Sequence, residues 1–231
     1  MRKPKLIISK CLNSEKCRYN GQAYDDKVIS LLRKYVDLET VCPETEIGLK
    51  VPRNPIRIEK YDNKYKLVEP SDNIDYTSQM MEFAEEFLSN IGDVDGFILK
   101  CKSPSCGVKD AKVYTTVEKG RAIRREKGIF AEAVMEHFPY LPIEDDGRLT
   151  NFKIREHFLA RIFILCDFRI AKSNLNFESL RKFHLKNTLL FLSADEYLIL
   201  VLSLLYASAY IVVGFSRIFF TLIFPPSFFI S

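Results

Sequence analysis

Three cysteines occupy equivalent places in the chain. Cys11 ends Ile7-Ile8-Ser9-Lys10-Cys11, Cys42 follows Leu38–Val41 and precedes Pro43, and Cys106 lies in Lys102-Ser103-Pro104-Ser105-Cys106-Gly107, beyond Gly96–Leu99. Each run before them is short and largely apolar, as buried parallel strands are. In an open α/β sheet the ligand crevice lies outside the carboxyl ends of the strands. Three thiols delivered by three strands are therefore expected to meet at one crevice. Three thiolates without a fourth suit an iron–sulfur cluster with one iron left open, and an open iron is a place for chemistry.

The elements that must position these thiols follow from hydrophobic periodicity. Strands are expected at Leu6–Ser9, Leu38–Val41 and Gly96–Lys100, a hairpin over residues 59–70, and a further short strand at Val113–Val117. Helices are expected from Asp25 to Tyr35 (stripe Val28, Ile29, Leu31, Leu32), from Thr77 to Asn90, and from Gly128 to His137. Residues 151–166 form another, 173–179 a linker, and Leu180 begins a last helix that runs to Leu192. Strands alternating with helices imply a parallel sheet, so the fold class is α/β, Rossmann-like, with a helical C-terminal region.

The chain has 231 residues, 47% hydrophobic and 28% charged, with a net charge of +4. Residues 1–145 carry 24 Lys/Arg against 24 Asp/Glu, and residues 146–231 carry 10 against 6, so the basic excess lies wholly in the second part. Such an excess fits an acidic partner such as RNA, and equally fits scattered surface charge. Only three apolar residues follow the basic start before Ser9, too short a run for a signal-peptide core. Six cysteines without such a signal point to a reducing cytoplasm, where they serve as ligands or core residues rather than disulfides.

Three ordered blocks carry a family resemblance. They are Ser9-Lys10-Cys11-Leu12 with Arg18-Tyr19-Asn20-Gly21, then Cys42-Pro43-Glu44-Thr45-Glu46-Ile47-Gly48-Leu49 with Val51-Pro52-Arg53, then Gly96–Lys100 with Lys102–Gly107. Together with Glu144–Phe163, including Gly147-Arg148-Leu149 and Arg155-Glu156, they resemble the thiouracil desulfurase (TudS) family over about residues 4–165. The resemblance implies a [4Fe–4S] cluster held by Cys11, Cys42 and Cys106, whose fourth iron takes the sulfur of a thiolated pyrimidine. It implies an enzyme that removes that sulfur by hydrolysis, without electron transfer, giving uracil or uridine and sulfide.

Soft thiolates suit such a cluster, and its open iron acts as a Lewis acid on the carbon–sulfur bond. Glu44, two residues after a ligand, is placed to be the general base that activates water; its other reading is a loop salt bridge. Ser103 is placed to orient the pyrimidine, or is a turn residue ahead of Pro104. Lys100 and Lys102 offset negative charge of cluster and substrate, or are simply solvated. Cys17 reads as a spare thiol in a turn, Cys101 as packed beside the site, and Cys166 as a small core residue. Zinc competes as the metal, but structural zinc sites commonly use Cys-x-x-Cys pairs, and this chain has none. His137, His157 and His184 lie outside the three blocks and are expected on helices, which gives a Cys–His nucleophilic pair no local support.

Leu180-Arg181-Lys182-Phe183-His184 and Leu189-Leu190 resemble the start of a helical domain found behind this desulfurase domain in tRNA 4-thiouridine desulfidases. The expected division is a desulfurase domain over residues 1–165 and a partial helical domain with an apolar tail over 166–231. Leu198–Phe215 is an 18-residue stretch without charge. It reads as a membrane span, a buried helix, or sequence that no longer encodes the ancestral domain. The expected partner is a thiolated pyrimidine base or nucleotide, with tRNA as an extension. The competing classes are a non-catalytic iron–sulfur or sulfur-binding module and a membrane-tethered protein.

Overall fold

The computed structural model describes residues 3–62, 64–115, 121–173 and 176–193. In chain order these form β1 (Lys5–Ser9), α1 (Lys27–Leu32), β2 (Asp37–Val41), α2 (Pro43–Glu46), β3 (Arg57–Tyr61), β4 (Lys64–Glu69), β5 (Ile74–Asp75), α3 (Thr77–Asn90), β6 (Gly96–Leu99), β7 (Ala111–Thr115), β8 (Ala122–Glu126), α4 (Ile129–His137), β9 (Ile143–Asp145), α5 (Phe152–Ser173) and α6 (Phe177–Ser193). The expected apolar tail, Leu198–Phe215 included, lies outside the described residues. Among the described residues no helix is long and apolar enough to cross a membrane.

The first sheet has the order β2-β1-β6-β9, with every neighbouring pair parallel. Its side chains alternate between two cores, as the period of a strand requires. Ile7, Phe97 and Leu99 face one core with Met80, Ala84 and Leu88 of α3 and Phe130, Ala131 and Val134 of α4. Leu6, Ile8 and Ile98 face the other, with Ile29 and Leu32 of α1 and Phe158 and Ile162 of α5. A sheet covered on both faces needs apolar residues at successive positions, which is why β1 and β6 read as unbroken apolar runs. Full burial of each such side chain contributes about 1.5–3 kcal/mol. This is the Rossmann-like α/β architecture expected, followed by a helical C-terminal region.

The structure adds a second sheet, of order β5-β4-β3-β7-β8, with antiparallel β3/β4 and β7/β8 hairpins joined by a parallel β3/β7 pair. The sequence indicates the first hairpin and a strand over 113–117, of which 113–115 belong to β7 and 116–117 lie outside the described residues, but not that they share a sheet, because only long-range pairing of Ile58 with Val113 creates it. Helix α1 keeps the whole apolar stripe but is shorter than the expected Asp25–Tyr35. Asp26 accepts hydrogen bonds from Val28 N and Ile29 N and so fixes the start at Lys27, while the bond from Tyr35 N to Leu32 O turns the chain out of the helix.

The chain divides into two compact units, Met1–Cys166 and Asp167–Ser231. In the second, α6 packs on the last turns of α5 through Phe168 and Phe183, whose ring centroids are 5.6 Å apart, and Lys186 reaches Asp167 at 2.8 Å.

Candidate functional site

Strands β2, β1 and β6 lie side by side with their carboxyl ends together, Ser9 opposite Val41 and Ile8 opposite Ile98. Cys11 lies in the 3-10 turn that continues β1, Cys42 immediately follows β2, and Cys106 lies in the turn reached from β6. Cys42 and Cys106 are buried and Cys11 is half-buried.

Thiols meet directly here. The Cys17 side chain hydrogen-bonds to both Cys11 and Cys42, and the contact with Cys11, followed by burial, pushes the Cys17 thiol up to about 11. The bond to Cys17 and then burial raise the Cys42 thiol. Burial raises Cys106, with Cys42 and Glu44 adding negative charge nearby. Without a cation these groups hold their protons. A metal centre would displace those protons, since thiolates are the ligating form.

Each thiol is locally fixed. Cys42 takes an extended conformation (φ −125°, ψ 94°) that caps α2, with Pro43 in the first turn, where its missing N–H costs nothing. Thr45 N and Thr45 Oγ1 both donate to Cys42 O at 3.0 Å. Around Cys106, Ser103 Oγ accepts from Ser105 N at 3.2 Å and Cys106 N at 3.0 Å. The start of α4 then docks on this turn. Ile129 N and Ala131 N, free as first-turn donors of a helix, bond to Pro104 O and Ser105 O. The approach is so close that a Cβ on Gly128 would lie 2.4 Å from Ser105 O, and one on Gly107 2.7 Å from Ser103 O. Buried Ser9 ties the two strands together: its Oγ accepts from Lys100 N at 2.9 Å, and its side chain also hydrogen-bonds to Cys106.

A carboxylate stands among these loops. Glu44, on α2, accepts from Ser105 Oγ at 3.0 Å and Ser103 Oγ at 3.5 Å through Oε1. Its Oε2 is held by Arg53, from Nε at 3.2 Å and from Nη2 at 2.5 Å. Arg53 Nη1 donates to Cys17 O at 3.1 Å, so one guanidinium holds both the carboxylate and the Cys17 loop.

The structure thus brings Cys11, Cys42, Cys106, Glu44 and Ser103 into one network. Ser103 caps the Cys106 turn, the second of its two sequence readings, and reaches Glu44 from there. Glu44 forms a salt bridge, also its second reading. Lys102 is exposed in a left-handed turn (φ 59°), where its backbone N–H donates to Asp110 at 2.6 Å. Lys100 is the more enclosed lysine: its ammonium bonds to Asp146 and to Cys101 Sγ at 3.5 Å and lies over the Tyr24 ring. Burial opposes its charge, but Asp146 outweighs that and raises its pKa. Cys101, Asp145 and Asp146 bring ligand atoms within 4.8 Å of one another. That ammonium already compensates the group, so we assign no metal there. His137, His157 and His184 lie on α4, α5 and α6, and Cys166 is buried on α5.

Sequence reasoning missed Arg53, Ser105 and Ser9 as parts of the site, and set Cys17 aside. Arg53 and Ser105 stand inside the second and third motif blocks, which was the available signal. Their pairing with Glu44 spans 9 and 61 residues and follows no local period.

A family model described as 2-thiouracil desulfurase matches residues 6–146. The uncharacterized protein YbbK of Bacillus subtilis (strain 168) is 34% identical over 114 residues, which are 44% of this chain and 72% of that protein. Among solved structures, a [4Fe-4S]-dependent thiouracil desulfidase, TudS, matches with a TM-score of 0.49 and 24% identity, over 64% of this chain and 94% of that one. That last likeness is too loose to assign a residue or a cofactor.

Proposed function

The chain belongs to the 2-thiouracil desulfurase family, and from that premise we propose that it hydrolyses the carbon–sulfur bond of thiolated pyrimidines, releasing sulfide. The observation that carries this reading is the meeting of thiols from three strand ends, Cys42 and Cys106 buried and Cys11 half-buried, with one carboxylate held by Arg53, Ser103 and Ser105.

Three soft donors at one crevice fit an iron–sulfur centre, with Cys11, Cys42 and Cys106 as the residues that would hold a [4Fe–4S] cluster. When bound, its uncapped iron supplies Lewis-acid polarisation of the substrate sulfur. The chain's own residues supply the rest. Glu44 takes the proton of the attacking water at Oε1, the oxygen that its serine partners share, while Arg53 keeps Oε2 fixed. Ser103, whose hydroxyl accepts two backbone N–H groups, gives its single proton to Glu44 Oε1 and turns it to an entering pyrimidine when substrate binds. Lys102, exposed on the same loop, meets the negative charge of a nucleotide substrate.

We place this chemistry in the Met1–Cys166 unit and favour a base or nucleotide over tRNA. In α6, Arg181 and Lys182 share the one carboxylate of Glu178, and Lys186 pairs with Asp167, so two of these three positive charges are matched.

The test is anaerobic purification, cluster reconstitution, and incubation with 2-thiouracil, 4-thiouridine monophosphate and thiolated tRNA, following thiocarbonyl absorbance and sulfide. Cys11→Ala, Cys42→Ala and Cys106→Ala are expected to lose the visible absorption of the cluster, and Cys166→Ala to keep it. Glu44→Gln should keep its iron and lose turnover by about 10²–10⁴-fold, the scale of a lost general base. Equal iron content in all four cysteine variants, or no sulfide from any substrate, would overturn the proposal.

A further inference from the structure

The outer face of the second sheet takes no part in the function proposed above. The strand period puts Ile58, Leu67 and Val113 on the face that packs into the core shared with α3 and α4. The residues between them stand on the opposite face. There Lys112 of β7 is paired in register with Arg125 of β8, and both are exposed. Like charges directly opposite each other on neighbouring strands are destabilising, a local cost that a bound anion would relieve. Charge that protects a sheet edge belongs on the edge strand β8 and does not account for Lys112 on the interior strand β7. Lys64, at the start of β4, is exposed on the same face, opposite Tyr61. Among the described residues, ion pairs hold Arg57 to Glu59 and Lys66 to Asp75, and none holds Lys64, Lys112 or Arg125.

Two tyrosines lie among these cations. Arg57 donates to buried Glu59 through Nε at 2.7 Å and sets its guanidinium 5.1 Å from the centre of the Tyr114 ring. Lys66 Nζ lies 5.1 Å from the centre of the Tyr61 ring, and the Tyr61 hydroxyl donates to Glu59 at 3.0 Å. The Arg57 side chain is 27% exposed, so a further flat group can extend the stack. Acids of this part of the chain sit elsewhere. Glu82, Glu85 and Glu86 are exposed on α3, whereas residues 121–127 carry Arg121, Arg124, Arg125 and Lys127 against Glu126 alone. The even charge count of residues 1–145 therefore hides a segregated surface.

We propose that this face binds single-stranded RNA: Lys64, Lys112 and Arg125 meet backbone phosphates, and a base stacks on the Arg57 guanidinium above Tyr114. A cationic sheet surface with stacking platforms is how single strands are held without sequence readout. A membrane surface would also attract the cations, but it needs exposed apolar side chains, and Val68, opposite Arg57 on this face, is buried. The Tyr61 hydroxyl, on the residue opposite Lys64, offers a hydrogen-bond partner to a ribose 2′-hydroxyl, which DNA lacks. RNA held here is separate from the small substrate of the thiol site, so this reading stands whether or not a cluster binds.

The experiment uses the full chain, reconstituted anaerobically. It follows the fluorescence anisotropy of a labelled, unthiolated single-stranded RNA, and of the same sequence as DNA, across a salt series and with heparin as competitor. Wild type is expected to bind the RNA, with log K falling linearly against log salt. Lys112→Gln/Arg125→Gln should weaken binding about tenfold or more and lower the salt slope by roughly 0.7 for each charge removed. Tyr114→Leu should weaken it about 5–100-fold, the scale of one lost base stack, with the salt slope kept. Arg181→Gln/Lys182→Gln in α6 should bind as wild type does. Denaturant unfolding accompanies each variant. Lys112→Gln/Arg125→Gln should be no less stable than wild type, because the like-charge pair is gone, and its turnover on 2-thiouracil should be unchanged. No binding by wild type, or wild-type affinity and salt slope in a folded Lys112→Gln/Arg125→Gln, would overturn the proposal. So would a loss of binding confined to the α6 variant. DNA bound as tightly as RNA, or full displacement by heparin with no effect of Tyr114→Leu, would make the face a general polyanion patch and overturn the RNA assignment. A wild type that binds RNA but releases no sulfide would support this proposal and overturn only the desulfuration reading.

Discussion

Arg53 grips Glu44 side-on, Nε and Nη2 both on Oε2, with only 6% and 14% of the two side chains exposed. Two guanidinium donors on one oxygen anchor Oε2 with a directionality that a point-charge ammonium lacks. They leave Oε1 to the serines of the Cys106 turn, so the carboxylate presents one oxygen to the thiol site and anchors the other in protein.

Arg53→Lys is therefore expected to retain iron and to lower desulfuration by about 10–100-fold, the cost of a lost supporting contact behind a working group. Iron analysis and steady-state turnover on 2-thiouracil check this. Turnover equal to wild type would mean that the orientation of Glu44 does not limit the reaction.

The α4 contact gives a second expectation. A methyl group at Gly128 meets backbone, Ser105 O at 2.4 Å and Pro104 O at 2.9 Å, neither of which yields cheaply. Gly128→Ala should destabilise the chain by about 1–3 kcal/mol, as overpacking does, and should move the turn that carries Cys106. Denaturant unfolding and iron retention after desalting read the two effects, and a variant that matches wild type in both would show that α4 does not set the position of the turn.

Much of this was legible in the chain. The runs before the three motif cysteines form parallel neighbours, β1 and β6 buried as expected and β2 instead a half-exposed edge strand because Glu39 and Asp37 face solvent, and helix α3 spans Thr77–Asn90 as its periodicity indicates. What was not legible depends on partners distant in sequence. The second sheet forms because Ile58 pairs with Val113, and the site network because Glu44 meets Ser105. β9 is three residues long and half-polar, so its place beside β6 follows from the sheet edge it completes rather than from its own pattern. Cys17 reads in the sequence as a spare thiol in a turn; the fold buries it.

Asp145 gives a pH signature. Burial, together with the negative charge of Asp110, Asp146 and Glu144, raises its carboxyl above the usual 3.8. The folded chain then binds this proton more tightly than the unfolded chain, so stability falls as pH rises from 3.8 through the raised value and remains lower at neutrality. Asp145→Asn removes the charge while keeping an acceptor for Arg148 N, which bonds to Oδ1 at 2.7 Å. The variant should unfold later than wild type at pH 7, with the advantage vanishing below 3.8. Denaturant titrations across that range check it; a variant less stable than wild type at pH 7 would show that the Asp145 charge is used.

The last expectation concerns how much chain the chemistry needs. All three motif cysteines, Glu44, Arg53 and the serines lie within the unit Met1–Cys166. Helix α5, however, runs from Phe152 to Ser173, and Phe158 and Ile162 on it cover one face of the parallel sheet. A cut at residue 165 severs that helix and leaves its last turn frayed under the sheet, whereas a cut after Ser173 keeps every turn that buries β1 and β6. The fragment 1–173 is expected to fold, to bind as much iron as the full chain, and to desulfurate 2-thiouracil at comparable turnover. Phe168, which packs on Phe183 of α6, becomes exposed in it and should reduce soluble yield. Side-by-side expression of 1–165, 1–173 and the full chain, with iron content, yield and sulfide release, reads all three points. A folded, iron-loaded 1–173 without activity on any small thiolated pyrimidine would place part of the catalytic machinery beyond Ser173.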